Sequence, residues 1–96
     1  MQDKVLELAK ECDEAINSQN NESVKRVIKK CSNMIKTLSD SNEIGYAYYC
    51  MGNLYAILDN CEVPALNSFR IAKKSSIDEL DYHDLICQIK TNEANQ

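Results

Sequence analysis

Two short segments of the chain carry small and aromatic residues at a spacing that brings two helices into close contact. The residues are Tyr48, Met51, Gly52 and Tyr55 in the first segment, and Ala65, Phe69 and Ala72 in the second. Within each segment they lie three, four and seven positions apart, which places them on one face of an α-helix. The pattern therefore predicts a helical hairpin across residues 47 to 72.

Gly52 is the residue that would let the two helices approach each other. A glycine inside a helix costs about 1 kcal/mol relative to alanine, so a packing reason is expected for it. We expect the ring of Phe69 to fill the space above Gly52. Between the helices, Asn60 is the expected N-cap, which places Pro64 in the first turn, where a missing N–H is tolerated.

The same spacings recur at a distance of 40 to 42 residues on both sides of this hairpin. The upstream matches are Leu8, Cys12 and Ala15, followed by Val24, Ile28 and Cys31; the downstream matches are Asp81, Asp84, Glu93, Ala94 and Asn95. Asp81 and Asp84 repeat Asp40 and Glu43, and acidic pairs of this kind suit helix starts. A period near 41 residues is typical of helical hairpins joined in series.

Composition also favours an all-α domain. Two glycines and one proline leave little turn chemistry for a β-fold. Amphipathic patterns predict five helices, over residues 1–18, 22–38, 42–59, 61–75 and 78–92, with polar clusters at the breaks. A chain of 96 residues has the size of a single domain, covering residues 1–96.

Taken together, these features resemble the tetratricopeptide repeat, a helical hairpin of about 34 residues that stacks into arrays. The resemblance implies an all-α fold in which antiparallel hairpins stack as a right-handed array. The hairpins would be residues 3–38 and 42–75, with residues 78–94 as the first helix of a further repeat or a cap. Two departures are the longer period and a second helix displaced by one residue.

The resemblance also implies where a ligand would bind, because the first helix of each hairpin lines a concave groove. With Gly52 as the anchor, the implied groove positions are Tyr46, Tyr49, Asn53 and Ala56 in one copy, and Gln88, Thr91, Asn92 and Asn95 in the next. Asn53 and Asn95 resemble the amide that pairs with peptide backbone in peptide-binding members. No lysine stands at Tyr49 or Thr91 to clamp a terminal carboxylate. A groove filled by the protein's own next segment is an equal alternative.

The last predicted helix carries an apolar face with no second helix to follow. Leu85, Ile86 and Ile89 form this face, and the pattern stops inside the third copy. Arrays bury each hairpin against the next. We therefore expect either a fragment of a longer protein or an abrupt cap, and the open face could pair two chains as a homodimer.

The five cysteines are spaced 19, 19, 11 and 26 residues apart, without a Cys-x-x-Cys motif. Cys12, Cys31, Cys50 and Cys87 fall on or beside apolar stripes, where cysteine acts as a small hydrophobe. This favours reduced, mostly buried thiols, no metal site and a cytoplasmic location. No apolar run approaches the roughly 18 residues of a membrane span, and the acidic N-terminus is unlike a signal peptide.

The net charge of −4 argues against general nucleic-acid binding. Basic residues do cluster on two helices: Lys25, Arg26, Lys29, Lys30 and Lys36, then Arg70, Lys73 and Lys74. A solvated face is the simpler interpretation, and a surface for an acidic partner or RNA is the alternative. The one histidine, His83, has no nucleophile or metal motif around it, so we expect no enzyme activity and no cofactor.

The resemblance therefore implies a protein–protein or peptide interaction module without catalysis of its own. One alternative is a regulatory or sensor N-terminal part of a larger bacterial enzyme or defence effector. Another is an oligomerising scaffold that uses the last helix.

Overall fold

The computed structural model describes residues 3–75, and this part of the chain contains four α-helices and no strand. They are α1 (Asp3–Ser18), α2 (Asn21–Ile35), α3 (Ser41–Ala56) and α4 (Glu62–Lys74). The predicted all-α class is confirmed for these residues. The fifth predicted helix, over residues 78–92, lies outside the described part of the chain.

Side-chain caps fix the starts of α2 and α3. The Oδ1 atom of Asn20 accepts hydrogen bonds from the backbone N–H groups of Glu22 at 2.9 Å and Ser23 at 3.2 Å. Asp40 does the same for Asn42 at 2.8 Å and Glu43 at 3.1 Å. These bonds satisfy N–H groups that have no partner inside the helix. The prediction that Asp40 marks a helix start is confirmed.

Two helices end earlier than their apolar patterns predict. α2 ends at Ile35 rather than at residue 38, and α3 ends at Ala56 rather than at residue 59. After α2, the N–H groups of Thr37 and Leu38 donate to carbonyls three residues back, at 2.8 and 3.2 Å. After α3, those of Ile57 and Leu58 do the same, at 3.4 and 3.1 Å. This tighter bonding closes a helix end. Leu38 and Leu58 remain buried beyond these ends, which is why the apolar pattern continues past them.

The assignment of Asn60 as the N-cap of α4 is wrong. Asn60 has a left-handed backbone, with φ of 61°, and the cap position belongs to Cys61, which makes no side-chain capping bond. Asparagine enters this region more readily than most residues, so Asn60 supports the turn between α3 and α4. Pro64 does lie in the first turn of α4, as predicted.

α3 packs against each of the other three helices, and α4 packs chiefly on α3. The larger core lies between the first three helices: Val5, Leu8, Cys12 and Ala15 of α1; Val24, Val27, Ile28 and Cys31 of α2; Ala47, Cys50, Met51 and Leu54 of α3, with Leu38 and Leu58. A second core consists of Ala65, Leu66, Phe69 and Ala72 on α4. Tyr48 and Tyr55 contact both cores and join them.

The close approach of α3 and α4 depends on Gly52. A Cβ atom added there would lie 2.5 Å from Cε1 and 2.7 Å from Cδ1 of Phe69. Both distances are shorter than real Cβ contacts. Phe69 itself is fully buried. The predicted packing of Phe69 over Gly52 is confirmed.

Replacing Asp40 with alanine should lower the free energy of unfolding by about 1 kcal/mol, because two N–H groups at the start of α3 lose their acceptor. Urea unfolding followed by circular dichroism measures the change. Glu7→Ala is the matched control, since Glu7 is an exposed carboxylate within α1. Equal midpoints for the two variants would contradict a capping role for Asp40.

Candidate functional site

Three of the predicted groove residues share one stripe of α3. Tyr46, Tyr49 and Asn53 lie at positions i, i+3 and i+7 of the helix, and each is half-buried. Ala56 continues the stripe and is exposed. This stripe lies between the face of α3 that packs on α1 and α2 and the face that packs on α4. We call Tyr46, Tyr49 and Asn53 the α3 stripe.

The two tyrosines of the α3 stripe are tied to the core through a row of rings. The ring centroids of Tyr46 and Tyr49 are 6.3 Å apart and tilted by 57°, and those of Tyr49 and Phe69 are 6.0 Å apart and tilted by 56°. Tilted contacts at these separations are favourable for aromatic pairs. The fully buried Phe69 therefore anchors Tyr49, which in turn contacts Tyr46.

The α3 stripe combines two kinds of contact that a partner chain could use. The tyrosine rings offer apolar surface whose orientation is already restricted by packing. The Asn53 amide, one helical turn beyond Tyr49, carries both a donor and an acceptor and can pair with a peptide group. The remaining predicted site residues lie outside the described part of the chain: Gln88, Thr91, Asn92 and Asn95 of the groove, and Leu85, Ile86 and Ile89 of the oligomer face.

A cluster of three thiols is a feature that the sequence analysis missed. Cys12 of α1 and Cys31 of α2 are buried, with their Sγ atoms 3.8 Å apart. Cys50 of α3 is buried in the same core, and its thiol interacts with that of Cys12 strongly enough to change the pKa of both. We call these three residues the thiol cluster. The equal spacing of 19 residues, on the buried stripes of three successive helices, was the available signal.

The three thiols do not ionise alike. Hydrogen bonding to Cys12, together with burial, raises the pKa of the Cys31 thiol and of the Cys50 thiol. The hydrogen bonds from Cys31 and then Cys50 lower the pKa of Cys12, because two neighbouring S–H groups stabilise a thiolate there. Cys12 is therefore the first of the three to lose its proton.

The basic residues of α2 are exposed, and acidic side chains offset part of their charge. Lys30 makes an ion pair with Glu11 of α1, with Nζ and Oε2 2.7 Å apart. Arg26 shares a shallow depression between α1 and α2 with Glu11 and Glu14. The Nζ atom of Lys25 lies 4.0 Å from Oε1 of Glu22 on the same helix. Mixed charge of this kind favours the simpler interpretation, a solvated face.

No protein-family model matches the chain, and neither a curated protein nor a solved structure is significantly similar to it. None of the four helices within residues 3–75 is long and apolar enough to cross a bilayer. Across the same residues, no group of three or more histidine, cysteine, aspartate or glutamate side chains is arranged to hold a metal ion.

Proposed function

We propose that the chain is an interaction module of the tetratricopeptide-like kind, which binds a protein or an extended peptide. The packing order supports this proposal. α1 contacts α2, α3 contacts α4, and α3 also contacts both α1 and α2. The contact of Gly52 with Phe69 is the close approach that such a repeat uses within one hairpin.

The α3 stripe is the proposed binding surface. The observation that carries this assignment is the row of rings from the buried Phe69 through Tyr49 to Tyr46. Side chains that are already held in place lose little conformational entropy when a partner binds. Asn53 would then pair with a peptide group of the partner, and the rings would contact its side chains.

The proposed mechanism is recognition by shape, and it assigns no reaction step and no cofactor to these residues. A cytoplasmic location is part of the proposal, because the four cysteines within residues 3–75 are free thiols. The overall acidity and the ion pair of Lys30 with Glu11 support a protein or peptide partner over a nucleic acid.

Asn53→Ala should weaken the binding of a selected peptide about tenfold, since one hydrogen bond to the peptide backbone is lost. Peptides would first be enriched from a random displayed library on the full chain. The affinity of one enriched synthetic peptide would then be measured by isothermal titration calorimetry. Lys29→Ala is the matched control, because Lys29 is exposed on α2.

Thermal melts of both variants would show whether each remains folded. Equal affinities for Asn53→Ala, Lys29→Ala and the unmodified chain would exclude Asn53 from the site. A library that yields no enriched peptide would contradict peptide binding as a whole.

A further inference from the structure

The thiol cluster brings together side chains from three different helices. Cys12, Cys31 and Cys50 come from α1, α2 and α3 and are 3%, 0% and 6% exposed. The Sγ atoms of Cys12 and Cys31 are 3.8 Å apart. Cys50 lies in the same buried core and contributes to lowering the pKa of Cys12. The fourth described cysteine, Cys61, is half-buried and packs against the larger core without belonging to this cluster.

The separation of the two sulfur atoms is close to that of a bonded pair. A disulfide bond is about 2.05 Å long, so the sulfurs of Cys12 and Cys31 need to approach by less than 2 Å from their present 3.8 Å. Rotation about the Cα–Cβ bonds and a small shift of α1 against α2 can supply such an approach. A cysteine that serves only as a small hydrophobe does not require a second sulfur in contact with it.

We propose that Cys12 and Cys31 are a site of reversible oxidation, at which an intramolecular disulfide bond joins α1 to α2 and Cys50 is a third thiol that can exchange into the bond. This modification is independent of the proposed peptide binding. It converts a contact between two helices into a covalent link while the rest of the larger core stays in place.

The reaction with a hydroperoxide proceeds in two balanced steps. Cys12 attacks the peroxide, its sulfur takes one oxygen to become a sulfenic acid, and the remainder of the peroxide leaves as water or an alcohol. The thiol of Cys31 then attacks the sulfenic sulfur, forms the S–S bond and expels water. Two thiols are oxidised by two electrons in all, and one hydroperoxide is reduced.

Two features of the cluster set the order of these steps. Cys12 is the attacking residue because its neighbours hydrogen-bond to its thiolate and lower its pKa. Cys31 and Cys50 keep their protons longer, since hydrogen bonding to Cys12 and burial raise the pKa of each. Burial also means that the oxidant reaches Cys12 through local opening of the helices, so the reaction should be slow but specific.

Tryptic mapping of the oxidised native chain tests the proposal directly. Cleavage by trypsin after lysine and arginine separates the cysteines into four peptides. Cys12 lies in the peptide 11–25, Cys31 in 31–36, Cys50 and Cys61 in 37–70, and Cys87 in 75–90. The full chain would be treated with hydrogen peroxide, blocked with iodoacetamide, digested without reductant and analysed by mass spectrometry. We expect a linked pair of peptides 11–25 and 31–36, which dithiothreitol separates.

The oxidised chain should also melt at a higher temperature, by on the order of 10 °C, since the new bond closes a loop of about 20 residues. Cys61→Ala is the matched control, and it should give the same linked pair. In Cys31→Ala, the peptide 11–25 should instead be linked to the peptide 37–70. In the double variant Cys31→Ala, Cys61→Ala this second link should persist through Cys50.

Three results would overturn the proposal. One is a mixture of links among all cysteine-containing peptides, which indicates reaction of unfolded chains. Another is a link between peptides 11–25 and 31–36 that forms only in urea. The third is oxidation of Cys12 to sulfinic acid without any link to Cys31. The first measurement uses the unmodified chain, so the test does not depend on whether a variant folds.

Discussion

Phe69→Ala should lower the free energy of unfolding by about 3–5 kcal/mol, the range for truncating a buried phenylalanine. Phe69 is fully buried between α3 and α4, where its ring lies over Gly52 and contacts Tyr49. Removing the ring leaves a cavity that the surrounding helices fill only in part. Since α4 packs chiefly on α3, the substitution removes the main anchor of the second hairpin.

Urea unfolding followed by circular dichroism measures this loss. Ile71→Ala is the matched control, because Ile71 lies two residues further along α4 and is 40% exposed. We expect its midpoint to stay close to that of the unmodified chain. A midpoint for Phe69→Ala as high as that of Ile71→Ala would show that the hairpin does not depend on the ring.

Gly52→Ala should lower the free energy of unfolding by about 1–3 kcal/mol, although alanine is the better helix former by about 1 kcal/mol. The added methyl group would lie 2.5–2.9 Å from three carbon atoms of the Phe69 ring. The ring is fully buried and contacts Tyr49, so it has little room to move away from an added methyl group. The steric cost is therefore expected to exceed the gain in helix propensity.

A double-mutant cycle with Phe69→Ala tests this explanation. Once the ring is removed, Gly52→Ala has no steric conflict, and the same substitution should become stabilising by up to about 1 kcal/mol. The measurement is again the urea midpoint, now for the double variant against Phe69→Ala alone. If Gly52→Ala is destabilising in both backgrounds, steric conflict with the Phe69 ring is not the cause.

The sequence pattern predicts which faces of the helices meet, but it does not predict where α2 and α3 terminate. The spacing around Gly52 and Phe69 predicts which faces meet, because a 3.6-residue period fixes the face of each side chain. α2 and α3 end where the backbone changes to hydrogen bonds between residues three apart. Leu38 and Leu58 lie beyond these ends and are still buried, so the apolar pattern continues past the change. Asn60 is a cap former by type, but the turn requires a left-handed residue there.

The candidate site likewise has one part that the sequence predicts and another that it does not. Tyr46, Tyr49 and Asn53 share a stripe because they share one helix, so their arrangement could be predicted from spacing alone. The row of rings and the thiol cluster join residues of different helices. Their distances depend on how closely and at what angle the helices cross, which the pattern of a single helix does not determine.

The contact between Gly52 and Phe69 also limits how a chain of this fold can change over time. The ring leaves no space for a Cβ atom at position 52, so any larger residue there carries a steric cost as long as phenylalanine stays at position 69. Phe69 can be exchanged for a smaller side chain while glycine remains at position 52. A substitution at position 52 is therefore expected to follow a substitution at position 69 rather than to precede it.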